Sequence, residues 1–265
     1  MPIDNGLKWT FDTVASAYEK FRPGYPDELY QMLFDYISLN ESCSVVEVGI
    51  GGGQAALPIL KTECDLTAVE YGEQLAKLCK EKFTEFPNFH ILTGKFENTD
   101  FPDNTYDLVY SASAFHWVPE QIGYTKVFSM LKKGGVFARF ANHPYRDKGN
   151  PQLSEEINRI YAEYYYKYHH REQKVLTEYS AEQALQRAKI AEKYGFEDIK
   201  YALFYRTRTF SASEYCSLLG TYSDHIAIEE SIRTEFFSQI EKAINRHGGS
   251  ITLYDTIDLQ LARKP

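Results

Sequence analysis

Residues 45–56 read VVEVGIGGGQAA, and this stretch decides the fold. Its first four residues form a short apolar run, which predicts a buried β-strand. The glycines that follow, Gly49, Gly51 and Gly53, permit a tight turn and let a ligand approach the backbone closely. The residues after Gln54 open a helical pattern. The stretch therefore has the strand–turn–helix form of a nucleotide-binding loop.

A carboxylate follows the loop at an informative distance. Glu70 stands 21 residues after Gly49 and ends the next apolar run, residues 66–70. An acid at the tip of the second strand is placed to accept hydrogen bonds from both hydroxyls of a ribose. The glycine loop and Glu70 together predict a ligand that contains adenosine.

Two features of the loop bear on which adenosine ligand it binds. A dinucleotide loop of the G-x-G-x-x-G type would have its third glycine at Gln54. Glu47, two residues before Gly49, would repel a pyrophosphate but suits a positively charged ligand. S-adenosylmethionine carries an ammonium and a sulfonium, so charge favours it over NAD. An NAD-dependent oxidoreductase is one alternative, and a non-catalytic protein that binds S-adenosylmethionine is another.

Short β-branched runs alternate with helical patterns along the first half of the chain. The predicted strands are residues 45–48, 66–70, 89–92, 106–110 and 136–140, and the helices between them include 73–83 and 122–131. This alternation predicts an α/β fold with a parallel sheet that is covered on both faces. Beyond Asn142 the patterns predict helices at 151–171, 181–194 and 229–245, and strands at 199–210 and 252–262.

We interpret the chain as a single domain, because it shows no internal repeat and no low-complexity linker. Residues 1–42 are predicted to form an N-terminal lid of helices, and residues 43–142 the cofactor-binding core. Residues 143–198 are predicted to form a helical cap inserted over the sheet edge. Residues 199–265 supply the C-terminal strands and helices.

The composition of the 265 residues argues against several classes of protein. Lys and Arg total 29 against 37 Asp and Glu, and the resulting net charge of −8 disfavours nucleic acid as a partner. The four cysteines (Cys43, Cys64, Cys79 and Cys216) form no C-x-x-C pair that would suggest a metal site. The sequence shows neither an N-terminal secretory signal nor an apolar run long enough to span a membrane. We therefore expect a cytoplasmic protein with no metal and no membrane partner.

These motifs resemble those of class I S-adenosylmethionine-dependent methyltransferases. Residues 47–53 are similar to the family's glycine-rich first motif, and residues 107–117 (DLVYSASAFHW) and 131–135 (LKKGG) to its later motifs. Residues 11–18 (FDTVASAY) and 22–26 (RPGYP) are similar to the branch of trans-aconitate methyltransferases and methyltransferase type 11 proteins. The resemblance covers nearly the whole chain. It implies a Rossmann-like sheet of seven strands, of which the last is antiparallel.

The resemblance also implies which residues form the site. The cofactor S-adenosyl-L-methionine would be held by Glu47, Gly49, Gly51, Gly53, Glu70, Tyr71, Lys95, Phe96, Glu97, Ser111 and Tyr18. The substrate would contact Arg22, Tyr25, His116 and Trp117. Many relatives carry Asp at the position of Lys95, where it bonds the adenine amine. Lys95 cannot accept a hydrogen bond, so adenine must rely on backbone groups of Phe96 or on another side chain.

His116 is the candidate catalytic residue. It follows the fourth predicted strand, at the edge where ligands of open α/β sheets bind, and could accept a proton from a hydroxyl or amine acceptor. The alternative is a histidine that only packs beside Trp117. Residues 142–145 (NHPY) resemble a box of DNA amino-methyltransferases, but that box follows strand four rather than strand five, so we assign them no role.

Arg22 bears on the nature of the acceptor. Its guanidinium could bind a carboxylate through two parallel hydrogen bonds, and the alternative is a surface arginine beside a proline turn. We predict a methyltransferase that acts on a small-molecule acceptor, with a carboxylate as one candidate. A carboxylate acceptor would need no general base.

Overall fold

The computed structural model describes residues 21–146 and 148–265, which form a seven-stranded sheet flanked by helices. The strands are β1 (Ser44–Val48), β2 (Asp65–Glu70), β3 (Phe89–Thr93), β4 (Tyr106–Ala112), β5 (Leu131–Tyr145), β6 (Glu197–Ser211) and β7 (Ser250–Arg263). Their order across the sheet is β3-β2-β1-β4-β5-β7-β6. Strand β7 runs antiparallel to both of its neighbours, while the other pairings are parallel. The fold predicted from the sequence is confirmed.

The described α-helices follow the predicted order, with two additions between β6 and the last helix. They are α1 (Asp27–Tyr36), α2 (Ala56–Leu60), α3 (Glu73–Lys82), α4 (Glu120–Met130), α5 (Pro151–Ile160), α6 (Ala181–Lys189), α7 (Ala212–Leu219), α8 (Ser223–Ile226) and α9 (Glu230–Arg246). The sequence patterns did not predict α7 or α8. Residues Tyr161–Tyr166 continue α5 as a π-helix.

Local chemistry explains where several helices begin and end. Helix α6 starts with a capping box, in which Ser180 and Gln183 satisfy each other's backbone N–H groups. The helical segment that follows it ends at Gly195, whose φ of 87° few other residues adopt. Pro58 lies in the first turn of α2, where a backbone N–H would have no partner within the helix, so the missing donor costs little.

The core lies on both faces of the sheet because successive strand residues point to opposite sides. On one face, Val45 and Leu108 pack with α1 and α2. On the other face, Val46 and Val109 pack with Tyr124 of α4. Each central strand is thus buried on both sides, which explains its nearly continuous apolar sequence.

Strands β5, β6 and β7 are longer than the apolar runs that predicted them. A third apolar cluster forms at the ends of β6 and β7, where α5, α7 and α9 pack together. Helix α6 instead packs against β6 and β7. The segment predicted as one cap, residues 143–198, is therefore shared between the end of β5, the third cluster and the cover of the sheet.

In the described ranges, no helix combines the length and the apolar character needed to cross a membrane. The predicted cytoplasmic location stays a prediction. Residues 1–20, which are part of the predicted lid of residues 1–42, lie outside the described residues.

Candidate functional site

A cavity of about 1100 Å³ opens at the edge of the sheet where the parallel strands end. This is the edge at which open α/β sheets bind their ligands. Its wall joins the glycine loop after β1, the tips of β2 and β4, the end of β5, and the loop before α8. The predicted site residues among its lining are Arg22, Tyr25, Gly49, Gly51, Glu70, Tyr71, Lys95, Phe96, Glu97, His116 and Trp117.

The glycine loop has two different roles in the structure. Gly49 has a φ of +75°, and a Cβ there would lie 2.4 Å from the Cβ of Ala114. This position therefore admits only glycine where the loop crosses the tip of β4. Gly53 does not line the cavity, and its Cβ would lie 2.6 Å from the Phe83 ring. Gly53 thus serves close packing of the loop on α3 rather than contact with a ligand.

Glu70 links the tip of β2 to the glycine loop. Its Oε2 accepts a hydrogen bond from the Gly51 N–H (2.8 Å), and its Oε1 accepts one from the Gly72 N–H (2.9 Å). Glu70 thereby supports the glycine loop and lines the cavity. Its role as the ribose acceptor stays a prediction.

The loop after β3 forms the next part of the cavity wall. Phe96 is 4% exposed, and its backbone oxygen accepts a hydrogen bond from Lys126 Nζ (2.7 Å). Lys95 is exposed, with its Nζ 5.7 Å from the centre of the Tyr71 ring. We expected a backbone group of Phe96 to bind the adenine amine, since Lys95 stands where many relatives have Asp. The Phe96 oxygen already accepts a hydrogen bond from Lys126, so adenine would have to share this acceptor.

Glu47 does not occupy the position that we predicted. Its side chain is fully buried beneath the cavity and is absent from the cavity lining. Its Oε2 accepts a hydrogen bond from the Tyr110 hydroxyl (2.7 Å), and its Oε1 has no partner among the described residues. Burial raises the pKa of Glu47 to about 8, although the Tyr110 hydrogen bond opposes the shift. The charge argument for Glu47 beside a cationic ligand is therefore not supported by its location.

Ser111 is also structural in this arrangement. Its side chain is 1% exposed, and its hydroxyl donates to the backbone oxygen of Val48 (2.7 Å). It ties β4 to β1 below the cavity and does not line it. Tyr18, the remaining predicted cofactor residue, lies outside the described residues.

The loop after β4 brings together several predicted substrate residues. Ser113 has a φ of +57°, and its Oγ lies 2.8 Å from the Tyr25 hydroxyl. His116 and Trp117 follow in a short 3-10 helix, with ring centres 5.0 Å apart. The exposed His116 imidazole faces the cavity beside the tip of β4. Its role as a base or as a packing residue stays a prediction.

Arg22 lines the cavity through contacts with the loop before α8. Its Nε donates to the Thr221 hydroxyl (3.0 Å), and its Nη2 donates to the Thr221 backbone oxygen (2.9 Å). Its guanidinium carbon lies 4.3 Å from the centre of the Tyr222 ring. Arg22 therefore fastens the segment before α1 to the opposite wall of the cavity.

Sequence reasoning missed a polar group at the end of β5. Asp258 of β7 is fully buried and lies 2.9 Å from His143 Nε2 and 3.8 Å from Arg187 Nη1. Burial would raise the pKa of Asp258, but His143 and Arg187 more than compensate and lower it. His143, Arg187 and Arg139 line the same cavity as the glycine loop. Residues 142–145, to which we assigned no role, thus supply part of the site, since β5 extends to Tyr145.

The neighbouring His169 and His170, which follow the π-helix, do not suggest a metal site. His169 Nε2 lies 2.9 Å from the backbone oxygen of Asp224, and no metal-binding group of three His, Cys, Asp or Glu side chains occurs within the described ranges.

A comparison with protein families matches residues 46–138 to a methyltransferase domain. Among curated proteins, an uncharacterised methyltransferase of Schizosaccharomyces pombe is 25% identical over 230 residues, which cover 83% of this chain and 82% of that protein. The matched domain contains the glycine loop and Glu70, so the family similarity coincides with the cofactor end of the cavity.

Solved structures share the fold at low sequence identity. Phosphoethanolamine N-methyltransferase 2 of Haemonchus contortus, solved with S-adenosylhomocysteine, matches with a TM-score of 0.56 and 15% identity over 96% of this chain. The match spans 57% of that protein. The [4+2]-cyclase SpnF matches with a TM-score of 0.56 and 14% identity, over 100% of this chain and 97% of that one. At this identity the likeness concerns the fold, and the reaction must be argued from the site.

Proposed function

We propose that the chain is a class I S-adenosylmethionine-dependent methyltransferase and that it methylates a small molecule that carries a carboxylate. The observation that carries this proposal is the charge of the cavity beyond the cofactor end. Five arginines line the cavity, namely Arg22, Arg139, Arg171, Arg187 and Arg208, whereas Glu120 and Asp224 are the acids on that part of the wall. Arg208 pairs with the buried Asp255 and Arg187 lies near the buried Asp258, so the positive charge of this wall comes mainly from the other three arginines. A positive surface of this kind attracts an anionic acceptor.

The residues of the chain act mainly by positioning. When bound, S-adenosylmethionine supplies the electrophilic methyl group. Glu70 and the glycine loop would hold its adenosine end, and the loop after β4 lines the same cavity as the arginines. Alignment of donor and acceptor in one cavity supplies much of the acceleration. A carboxylate acceptor is already a nucleophile and needs no proton removed, so His116 would then orient the acceptor rather than act as a base.

The proposal is tested by cofactor identification followed by a transfer assay. Mass spectrometry of the denatured protein should detect S-adenosylmethionine or its demethylated product, and calorimetry should show tighter binding of these than of NADH. Methyl transfer is then measured with a panel of small mono- and dicarboxylic acids, each paired with its amide. Transfer to acids but not to their amides supports a carboxylate acceptor. Transfer to neither, or to amides and acids alike, contradicts it.

Replacing Arg22 with lysine is expected to raise the acceptor KM by about tenfold, equivalent to about 1.4 kcal/mol, with the cofactor affinity unchanged. Lysine keeps the charge but cannot make both Thr221 bonds and also present a planar fork. Steady-state kinetics and calorimetry measure the two quantities.

Thr221→Val provides the matched control, because it removes the hydroxyl that Arg22 contacts and keeps the side-chain shape. An effect confined to Arg22→Lys indicates that Arg22 touches the acceptor. Equal effects of the two variants indicate that Arg22 acts by holding the Thr221 loop. A loss of cofactor affinity in Arg22→Lys would place Arg22 in the cofactor site and contradict the prediction.

A further inference from the structure

The wall of the cavity formed by β5 and α4 contains a guanidinium with no carboxylate beside it. Arg139 lies on β5, opposite Ser111 of β4, and lines the cavity. Its Nη2 donates to the backbone oxygen of Arg187 (3.2 Å) and to the Oε1 of Gln260. Within residues 21–146 and 148–265, Arg139 forms no ion pair, and its Nε and Nη1 have no hydrogen-bond partner.

Aromatic rings surround this guanidinium. Its central carbon lies 5.5 Å from the centre of the Phe115 ring, 5.0 Å from that of Tyr124 and 5.9 Å from that of Phe137. Burial in these surroundings lowers the pKa of Arg139. Contacts with ring faces compensate part of the lost hydration of the cation, but they supply no negative charge. An unpaired cation in such surroundings is costly and favours an anion from outside the chain.

A second unsatisfied group lies beside the first. Tyr124 is 1% exposed and lines the cavity, and its buried hydroxyl has no hydrogen-bond partner among the described residues. Buried polar groups without a partner are rare in folded proteins and often mark a ligand site. Because Arg139 and Tyr124 are in contact, one ligand group can satisfy both.

Among the described residues, the carboxylates near Arg139 are those of Asp258 and Glu120, and neither forms an ion pair with it. Asp258 lies close to Arg187 and His143, and it accepts a hydrogen bond from the amide of Gln260. The amide oxygen of Gln260 accepts a hydrogen bond from Arg139. Gln260 therefore fixes one edge of the guanidinium, while the charge of Asp258 is shared with Arg187 and His143.

We propose that Arg139 and the Tyr124 hydroxyl form a subsite that binds a carboxylate group of the acceptor. This inference rests on the proposed function and names the residues that recognise the acid. The Arg139 guanidinium has no ion-pair partner and the Tyr124 hydroxyl no hydrogen-bond partner among the described residues. Together they match the charge and the two oxygens of a carboxylate. The Phe115 ring, which also lines the cavity, favours a flat apolar group next to it. A phosphate would carry more charge and a third oxygen, and the nearest further cation, Arg187, already lies close to Asp258.

The test measures binding and does not depend on methyl transfer. Benzoate is titrated by calorimetry into protein saturated with S-adenosylhomocysteine, with benzamide as the uncharged analogue and inorganic phosphate as the other anion. We expect benzoate to bind more tightly than either. Arg139→Gln should weaken benzoate binding at least tenfold, and Tyr124→Phe by roughly threefold or more. Affinity for S-adenosylhomocysteine should stay within twofold.

Tyr194→Phe is the matched control for Tyr124→Phe. The Tyr194 ring stacks on Tyr124 at 4.7 Å, but its hydroxyl donates to Glu120 and it does not line the cavity. Its substitution should leave benzoate binding unchanged. Tyr124→Phe removes one atom and preserves the core, so the test does not depend on the folding of the Arg139 variant.

The outcomes separate this inference from the proposed function. Equal benzoate binding by the wild type and Arg139→Gln, equal binding of benzoate and benzamide, or tighter binding of phosphate would each overturn the subsite. Acids that are methylated equally by the wild type and Arg139→Gln would overturn it while leaving the proposed function intact. Arg139-dependent benzoate binding without methyl transfer to any acid would keep the subsite and contradict the proposed function.

Discussion

Replacing Glu70 with alanine is expected to weaken S-adenosylmethionine binding by one to two orders of magnitude. The carboxylate would accept hydrogen bonds from the ribose, and a bond to a charged group contributes about 1.5–3 kcal/mol. It also holds the glycine loop, since its two oxygens accept from the Gly51 and Gly72 N–H groups. The substitution therefore removes both a ligand contact and the support of the loop that forms the pocket. Isothermal titration calorimetry measures the loss.

The loop contacts also predict a loss of stability, which the sequence alone did not suggest. If Glu70 contacted only the ribose, Glu70→Ala would leave the melting temperature of the cofactor-free protein nearly unchanged. Glu70 is only 9% exposed and satisfies two backbone donors, so its removal should lower that melting temperature. Glu73→Gln, at an exposed position of α3, is the control and should change neither quantity. An unchanged cofactor affinity in Glu70→Ala would disprove the ribose assignment.

The sheet could be predicted because its signal is local. Each of the seven strands has an apolar run of its own, and the glycine loop places β1, α2 and the cofactor end of the cavity within about 25 residues of sequence. Gly49 and Glu70, which this local signal singled out, line the cavity, while their contacts with the cofactor stay a prediction. The ends of the strands have no continuous apolar run, because their side chains alternate between the cavity and the core.

The acceptor end of the site could not be predicted because it depends on pairing between distant strands. Arg139 lies beside Gln260 and near Asp258 through the antiparallel register of β5 and β7, more than 100 residues apart in sequence. The apolar run that predicted β5 ended at residue 140, before the part of the strand that contains His143. Helix α7 was missed as well. The packing of α5 at the end of the antiparallel pair β6 and β7 was therefore missed too.

Glu47 shows a different limit, since its motif position was identified but its direction was not. Successive residues of a strand face opposite sides of the sheet, and Glu47 shares a face with Tyr110, its register partner on β4. The helices α1 and α2 cover that face, so the carboxyl group is buried with the core. The side of the strand to which a carboxylate points therefore decides whether it contacts a ligand or lies buried in the core.

Replacing Glu47 with glutamine is expected to make the protein more stable at alkaline pH. The pKa of Glu47 is raised to about 8 by burial, whereas its ordinary value is 4.5. Between these values the folded protein holds a proton that the unfolded chain releases, so the free energy of unfolding falls as the pH rises. The fall is complete above about pH 8. Glutamine is neutral throughout and can still accept the Tyr110 hydrogen bond, so the variant escapes this loss.

The difference in unfolding free energy between Glu47→Gln and the wild type should grow by about 4 kcal/mol from pH 5 to pH 9, at 1.36 kcal/mol for each unit of pKa shift. Urea unfolding at both pH values measures this difference. Other groups that titrate in this window contribute equally to both proteins, so their contributions cancel. Glu73→Gln again serves as the exposed control, for which the difference should stay constant. Because Glu47 does not line the cavity, Glu47→Gln should also bind S-adenosylmethionine with wild-type affinity. A constant stability difference together with a tenfold loss of cofactor affinity would instead show that Glu47 acts on the cofactor as an anion, as the glycine-loop motif first indicated.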